Sequence, residues 1–165
     1  MARPPRLPQL GPSFFDAEAP EPVTAAPPRR LIVRADGGSR GNPGPAAYGA
    51  LVYDADTNEV LNCEGRALGI ASNNVAEYSA LIAGLEMARA IDPASELEVR
   101  MDSKLVIEQM AGRWRVKHPA MKPLALKAQS LRPPTVRWTW VPRAENKAAD
   151  ALVNRALDGD PVPRG

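Results

Sequence analysis

The feature that most constrains the fold is a change in the spacing of apolar residues near residue 74. Before it, three apolar segments bounded by turn-forming residues have the composition of β-strands, at residues 31–36, 46–54 and 60–68. After it, apolar residues recur at helical spacing, at Tyr78, Leu81, Ile82, Leu85 and Ala88. The first part of the chain therefore predicts an antiparallel meander of three strands, followed by a helix that ends near Pro93.

Strands and helices alternate through the rest of the chain. A strand is predicted over residues 97–101 and another over 136–141, with helices starting just after Asp102, within 119–130, and over 144–157. Parallel strands of one sheet are joined by right-handed crossovers. The pattern thus predicts an α/β fold with a five-stranded mixed sheet, in which the meander is extended by two parallel strands and flanked by helices.

The length and composition predict one folded domain with two disordered ends. A chain of 165 residues with 44% hydrophobic content suffices for one ordinary core. Residues 1–29 hold eight of the 18 prolines and lack an apolar period, so we predict a disordered proline-rich tail. Residues 159–165 are predicted to form a second disordered end. The folded domain is expected over residues 30–158.

Composition also excludes several classes of protein. Cys63 is the only cysteine and His118 the only histidine, which excludes a disulfide framework and a Cys/His zinc site. Any metal must therefore bind oxygen ligands. The net charge of +2 permits a polyanionic partner without requiring one. No apolar run reaches the roughly 18 residues of a membrane span, and no secretory signal is recognised, so we expect a soluble cytoplasmic protein.

Two acidic residues follow predicted strands. Asp36 ends the first strand and Asp102 follows the fourth, and the carboxyl ends of adjacent parallel strands meet at one edge of a sheet. Neighbouring carboxylates repel each other, so a pair in a cleft calls for a cation, and oxygen ligands suit magnesium or manganese. Each residue alone also has a structural explanation, since Asp36 can open a turn and Asp102 can cap a helix.

Two further acids are equally ambiguous when taken one at a time. Glu77 follows Asn74 by three residues, a spacing that resembles a capping box at a helix start. Asp150 fits an ordinary solvated position of the last helix. Single residues therefore do not decide the function, whereas the sequence contexts of all four do.

Four segments of the chain resemble type I ribonucleases H. They are DGGSRGNPGPAAYG at residues 36–49, SNNVAE at 72–77, DSKLV at 102–106 and NKAAD at 146–150. These motifs occur in the order of that family across residues 31–157. The resemblance implies the ribonuclease H-like fold and an endoribonuclease that cuts the RNA strand of RNA–DNA hybrids, leaving 5′-phosphate and 3′-hydroxyl ends.

The resemblance also implies a catalytic set. The family's four catalytic acids, which bind the metal, match Asp36, Glu77, Asp102 and Asp150. Two magnesium ions are implied, with manganese as a substitute and Asp36 as the bridging ligand. In such a mechanism one ion lowers the pKa of an attacking water and the other stabilises the departing 3′ oxygen.

The same motifs carry the predicted substrate contacts, which are Gly38, Ser39, Asn42, Asn73 and Asn74. An amide offers donors and an acceptor, so it can recognise a 2′-hydroxyl, the group that distinguishes RNA from DNA. The structural explanation for Asn42 is turn formation before Pro43. The resemblance favours binding.

The chain departs from the family pattern before the last catalytic acid. Many members have a histidine there, but residues 141–146 contain none, and Arg143 matches a subgroup that has arginine instead. An arginine stays protonated, so it can steady phosphate charge but is a poor general base. We interpret Arg143 as an electrostatic aid to catalysis, with Glu145 as the alternative.

A second departure is the lack of a full basic protrusion after Met110. Residues 109–144 nevertheless hold eight lysines and arginines, no acid and all three tryptophans, which is typical of a nucleic-acid groove. Trp114 is the predicted substrate contact, whereas Trp138 and Trp140 are expected to pack in the core. The alternative is a solvated basic face.

Three other functions compete with this interpretation. Another nuclease of the same fold would keep the acids but is not expected to keep the three asparagines. A non-catalytic hybrid-binding module would lack carboxylates, yet all four are present. A phosphate-loop nucleotide binder is excluded because no lysine followed by serine or threonine comes after Asp36. We expect a monomer that binds the hybrid without an obligate protein partner.

Overall fold

The computed structural model describes Ala2 and residues 26–165. The predicted tail over residues 1–29 falls almost entirely outside these described residues. The elements are, in chain order, β1 (Arg30–Ser39), β2 (Gly44–Asp54), β3 (Val60–Ala71), α1 (Asn73–Ile91), β4 (Glu96–Met101), α2 (Lys104–Met110), α3 (Lys122–Leu131), β5 (Thr135–Trp140), a 3-10 turn (Arg143–Glu145) and α4 (Lys147–Leu157). In the part of the chain that is described, no helix combines the length and the hydropathy needed to cross a bilayer.

The five strands form one mixed sheet in the order β3-β2-β1-β4-β5. The pairs β1–β2 and β2–β3 are antiparallel, whereas β1–β4 and β4–β5 are parallel. The predicted α/β fold, a three-stranded meander extended by two parallel strands, is therefore confirmed. This order puts β1 at the centre of the sheet, between its antiparallel and parallel halves.

Helices cover both faces of the sheet. Successive side chains of a strand point to opposite faces. Along β2, Ala50 and Val52 belong to the main core beneath α1, whereas Leu51 packs against Ala149 and Leu152 of α4. α1 and α4 thus lie on opposite sides of the antiparallel half, and α3 packs against α1.

The first strand is longer than predicted. The sequence predicts that this strand ends at residue 36, before turn-forming residues, but Gly37 and Gly38 lie inside β1, paired with Tyr48 and Ala47. The parallel ladder with β4 ends earlier, at Ala35. β1 continues because β2 still offers it backbone hydrogen-bonding partners after β4 has ended, so the turn shrinks to about residues 40–43. Asp36 therefore sits where β1 loses its parallel neighbour.

One tryptophan differs from its predicted place. Trp138 is half-buried and packs against the core, as expected. Trp140 is 48% exposed, so its predicted core packing is wrong. It lies at the end of β5, an edge strand, and its indole N–H donates to the Asp102 carbonyl at 3.1 Å.

The C-terminal segment (residues 159–165), for which the sequence predicts a disordered end, runs beside the edge strand β3. The Gly65 N–H donates to the Pro163 carbonyl at 2.9 Å and the Gly165 N–H to the Cys63 carbonyl at 3.0 Å. Val162 packs against a small cluster of Ala47, Val153 and Ala156. The segment has these contacts because an edge strand leaves a row of backbone groups without a partner on the sheet.

Candidate active site

Four acidic side chains from four different elements line one cleft of about 590 Å³. Asp36 comes from β1, Glu77 from α1, Asp102 from the end of β4 and Asp150 from the first turns of α4. Predicted as catalytic from separate motifs, they are brought together at one edge of the sheet.

A glycine lets α1 approach β1 closely enough to bring Glu77 beside Asp36. A Cβ atom at Gly37 would lie 2.2 Å from the Ala76 carbonyl carbon and 2.4 Å from the Glu77 nitrogen, closer than atoms can pack. Only glycine leaves this space free. The strand that carries Asp36 and the helix that carries Glu77 are therefore in backbone contact.

The helix starts rule out the structural explanations for two of the acids. The N-cap of α1 is Ser72, whose hydroxyl accepts from the Val75 N–H at 3.2 Å, so no capping box joins Asn74 and Glu77. The N-cap of α2 is Ser103, not Asp102. Asp36 lies within a strand and opens no turn. These carboxylates are thus not used in the local structural roles considered from the sequence.

Asn146 connects three of the segments that carry the acids. It is 1% exposed, and its Nδ2 donates to the Ala35 carbonyl at 2.9 Å and to Asp102 Oδ1 at 3.2 Å. Its own carbonyl accepts from the Asp150 N–H at 3.1 Å. Among the described residues, its Oδ1 is a buried side-chain atom without a hydrogen-bond partner. Sequence reasoning did not single Asn146 out, although it opens the fourth motif.

The cleft concentrates negative charge in a partly buried place. Burial, and then repulsion from Asp102, Asp150 and Glu77, raises the pKa of Asp36 to about 8. Burial likewise raises the pKa of Glu77 to about 7, opposed by a hydrogen bond from the Ser103 side chain. Carboxyl groups that resist ionisation in this way are stabilised as anions when a cation binds between them.

The donor set fits a hard divalent cation. All four acids offer oxygen ligands, which magnesium and manganese prefer. Within Ala2 and residues 26–165, no group of three or more His, Cys, Asp or Glu side chains is close enough to hold a metal ion without further ligands. An open arrangement suits magnesium, which is usually held by one or two carboxylates and completed by waters and substrate phosphates.

Arg143 lies at the rim of the cleft, on the 3-10 turn before α4. Its side chain is 79% exposed, and its Nη2 lies 3.4 Å from Asp150 Oδ1, so the ion pair is weak. The turn is fastened to the sheet by Arg34, whose Nη1 donates to the Glu145 carbonyl at 2.7 Å. Glu145, the alternative to Arg143, does not line the cleft.

The predicted substrate residues form a hydrogen-bonded group beside the acids. Gly38, Ser39, Asn73 and Asn74 line the cleft. The Ser39 N–H donates to Asn73 Oδ1 at 2.8 Å, and the Asn73 N–H donates to Asn42 Oδ1 at 3.2 Å. Asn42 is thereby tied to this group, although it does not line the cleft itself. The amide oxygens of Asn42 and Asn73 are engaged within the protein.

Trp114 is not brought to the cleft. It is 45% exposed and lies on the loop that follows α2, with Arg115 and Lys117 also exposed beside it. His118 is exposed too, and its Nδ1 accepts from the Ala120 N–H at 3.1 Å. The exposed loop that carries Trp114 therefore does not line the acidic cleft.

Known proteins with similar sequences share most of the folded part. A family described as Reverse transcriptase-like matches residues 34–156. The chain is 53% identical over 131 residues to the Bifunctional protein Rv2228c of Mycobacterium tuberculosis, covering 78% of this chain and 36% of that protein. It is 45% identical over 125 residues to Ribonuclease HI of Halobacterium salinarum, covering 74% of this chain and 62% of that protein. The chain thus spans less than two thirds of the length of these relatives.

Solved structures agree with these sequence matches. The N-terminal RNase H domain of Rv2228c superimposes with a TM-score of 0.77 at 53% identity, covering 79% of this chain and 95% of that one. LC11-RNase H1 in complex with an RNA/DNA hybrid gives a TM-score of 0.74 at 40% identity, covering 79% of this chain and 98% of that one.

Proposed function

The chain belongs to the type I ribonuclease H family, and we propose that it hydrolyses the RNA strand of RNA–DNA hybrids with a divalent metal. The observation that carries the proposal is the convergence of Asp36, Glu77, Asp102 and Asp150 in one cleft. The names of the relatives and the hybrid bound by LC11-RNase H1 support the same substrate.

In this proposal the four acids hold two magnesium ions, with manganese as a substitute. Bound magnesium supplies activation of water and neutralisation of charge on the phosphate and on the leaving 3′ oxygen. Asn146 keeps Asp102 oriented toward β1 through its Nδ2 hydrogen bonds. The products have 5′-phosphate and 3′-hydroxyl ends.

The asparagines distinguish the substrate through their amino groups. Because the Oδ1 atoms of Asn42 and Asn73 accept hydrogen bonds within the protein, their Nδ2 groups are the donors left for the hybrid. Minor-groove acceptors occur on every base pair, and the 2′-hydroxyl can also accept. Donor groups can therefore bind the 2′-hydroxyl of the RNA strand. They do not select a base sequence, because acceptors are present in the minor groove at every base pair.

Arg143 has an electrostatic role in this proposal. Its side chain is largely exposed at the rim of the cleft, where a permanent positive charge can meet the phosphate being cut. Trp114 and its basic neighbours bind the hybrid outside the cleft. The protein is proposed to act as a cytoplasmic monomer without an obligate protein partner.

The decisive experiment compares four labelled substrates, which are the RNA–DNA hybrid, single-stranded RNA, DNA duplex and RNA duplex. Each is incubated with magnesium, manganese or a chelator, beside an Asp102→Asn variant. Asp56→Asn, which changes an exposed acid whose ion pair with Arg30 lies on the surface, is the matched control. We expect metal-dependent cleavage of the hybrid's RNA strand by the native chain and the control, and loss of at least 100-fold in Asp102→Asn, of order 2.7 kcal/mol of transition-state stabilisation.

Two results would count against the proposal. Cleavage of DNA duplex in preference to the hybrid would indicate another nuclease of the same fold. Tight hybrid binding by folded protein, without cleavage in either metal, would indicate a binding module.

A further inference from the structure

The basic loop (residues 112–117) is firmly built on the end of α2. The Arg113 guanidinium makes two hydrogen bonds to the Glu108 carboxylate, through Nε at 2.5 Å and Nη2 at 2.9 Å. The N–H groups of Arg113 and Trp114 both donate to the Glu108 carbonyl, at 2.9 and 3.1 Å. Val116 packs against the main core. These contacts hold in place the backbone of the loop that carries the exposed Trp114.

A buried pair of polar side chains links this loop to the helix that carries Glu77. Tyr78 is fully buried in α1, and its hydroxyl donates to Gln109 Oε1 at 2.5 Å. Gln109 is 7% exposed, and its Nε2 reaches the Arg115 carbonyl at 3.4 Å. Hydrogen bonds thus run from the residue next to Glu77 to the backbone of the basic loop.

Stability alone does not explain the pair. A phenylalanine and a leucine would fill a similar volume, and replacing both partners of a buried hydrogen bond by apolar groups is often nearly neutral. Polar groups inside a core are better suited to specifying one arrangement of the elements they join. Burial raises the pKa of Tyr78 to about 12, so its hydroxyl remains a donor at neutral pH.

We infer that Tyr78 and Gln109 are positioning residues that hold the basic loop at a fixed distance from the acidic cleft, so that the loop grips one strand of the hybrid while the cleft cuts the other. This inference rests on the proposed function. The seven residues of α2 separate Asp102 from the loop by about 10 Å at 1.5 Å per residue. The grooves of B-form DNA are roughly 6 to 12 Å wide, so a distance of this order can separate contacts to the two strands of a duplex.

The test uses Tyr78→Phe, Gln109→Leu and the double variant. Each is assayed for kcat and KM on an end-labelled hybrid of fixed sequence, for the positions of the cuts, and for hybrid affinity in a chelator. Val52→Ala, which trims a buried residue of β2, is the control for lost stability. We expect the Gln109→Leu and double variants to raise KM and Kd about two- to ten-fold, with kcat nearly unchanged and cuts spread over neighbouring positions. A merely structural role would not move the cut positions.

The inference fails if folded Gln109→Leu and double variants keep the native KM, Kd and cut positions. It also fails if Val52→Ala produces the same spread of cuts. Should the native chain cleave no hybrid at all, the proposed function fails, but hybrid affinity in the chelator still decides the inference. A weaker Kd in Gln109→Leu than in Val52→Ala supports it, and equal values overturn it.

Discussion

Burial and the neighbouring acids both disfavour the charged form of Asp36, so this carboxylate, which we propose is needed for catalysis, is expected to destabilise the metal-free protein. Its pKa rises from 3.8 to about 8 on folding. The protonated group does not destabilise the native state at low pH. As pH rises from about 4 to about 8, the free energy of unfolding falls, because the unfolded chain ionises this carboxyl more readily than the native protein does. Asp36→Asn should therefore raise the free energy of unfolding in a chelator by ~1–2 kcal/mol at pH 8 and by less at pH 5, while abolishing cleavage.

Urea unfolding at the two pH values measures this difference, with Asp56→Asn as the control for a carboxylate on the surface. A variant that is less stable than the native chain at pH 8 would contradict burial and charge repulsion as the origin of the raised pKa.

Asn146 is expected to matter through its donor group. Asn146→Asp keeps the size but replaces Nδ2 by an oxygen that faces the Ala35 carbonyl and Asp102. The loss should lower the free energy of unfolding by about 1–3 kcal/mol. Urea unfolding in a chelator measures this loss. Asn62→Asp on β3 is the control, and equal effects in both variants would refute a specific role for Asn146.

The sequence singled out the four acids but not the residues that hold them. Each acid lies in a motif with a recognisable chemistry, and motif order made the set specific. Asn146 and Ser103 lie inside two of those motifs, but their importance comes from burial and from hydrogen bonds to distant residues. No local sequence pattern predicts hydrogen bonds to residues so distant in the chain.

Among the elements, the contact between β1 and α1 gives the sharpest prediction. Gly37→Ala would force a Cβ to within 2.2 Å of the Ala76 backbone, so α1 must move. We expect a loss of about 1–3 kcal/mol in unfolding free energy and a large loss of cleavage, since Glu77 moves with the helix. Gly38→Ala is the matched control for unfolding, because its nearest neighbour would be Val153 at 3.8 Å. An equal loss of stability of the two variants in urea unfolding would disprove the close approach.

Element types were predictable, whereas the ends of β1 and β3 and the exposure of Trp140 were not. The spacing of apolar residues identified all five strands and the helices. It missed the continuation of β1 through Ser39, because glycines predict turns and only pairing with β2 keeps them extended. It also assigned Trp140 to the core, since period alone does not reveal that β5 is an edge strand.

For the molecule as a whole, the C-terminal segment is expected to add stability without taking part in chemistry. Val162 packs against Ala47, Val153 and Ala156, beside α4. Val162→Asp should lower the unfolding free energy by about 1–3 kcal/mol, with hybrid cleavage retained well below the melting temperature. Asp160→Asn in the same segment is the control. Unchanged thermal unfolding of Val162→Asp would contradict the packing of Val162 against this cluster.

The order of elements sufficed to predict a meander extended by two parallel strands, because crossover rules leave few arrangements of three strands followed by alternating helices and strands. The course of residues 159–165 was not predictable. Proline and glycine there indicate an irregular chain, and its pairing with β3 depends on an edge that only the assembled sheet provides.

Drawing the acids from four distant segments also sets when the cleft is completed during synthesis. A growing chain that has emerged through β4 contains Asp36, Glu77 and Asp102, yet it lacks Asp150 and the Asn146 amide that holds Asp102. Contacts between residues so far apart in sequence form late in folding. In a nascent chain the acidic cleft is therefore incomplete until α4 docks on the sheet.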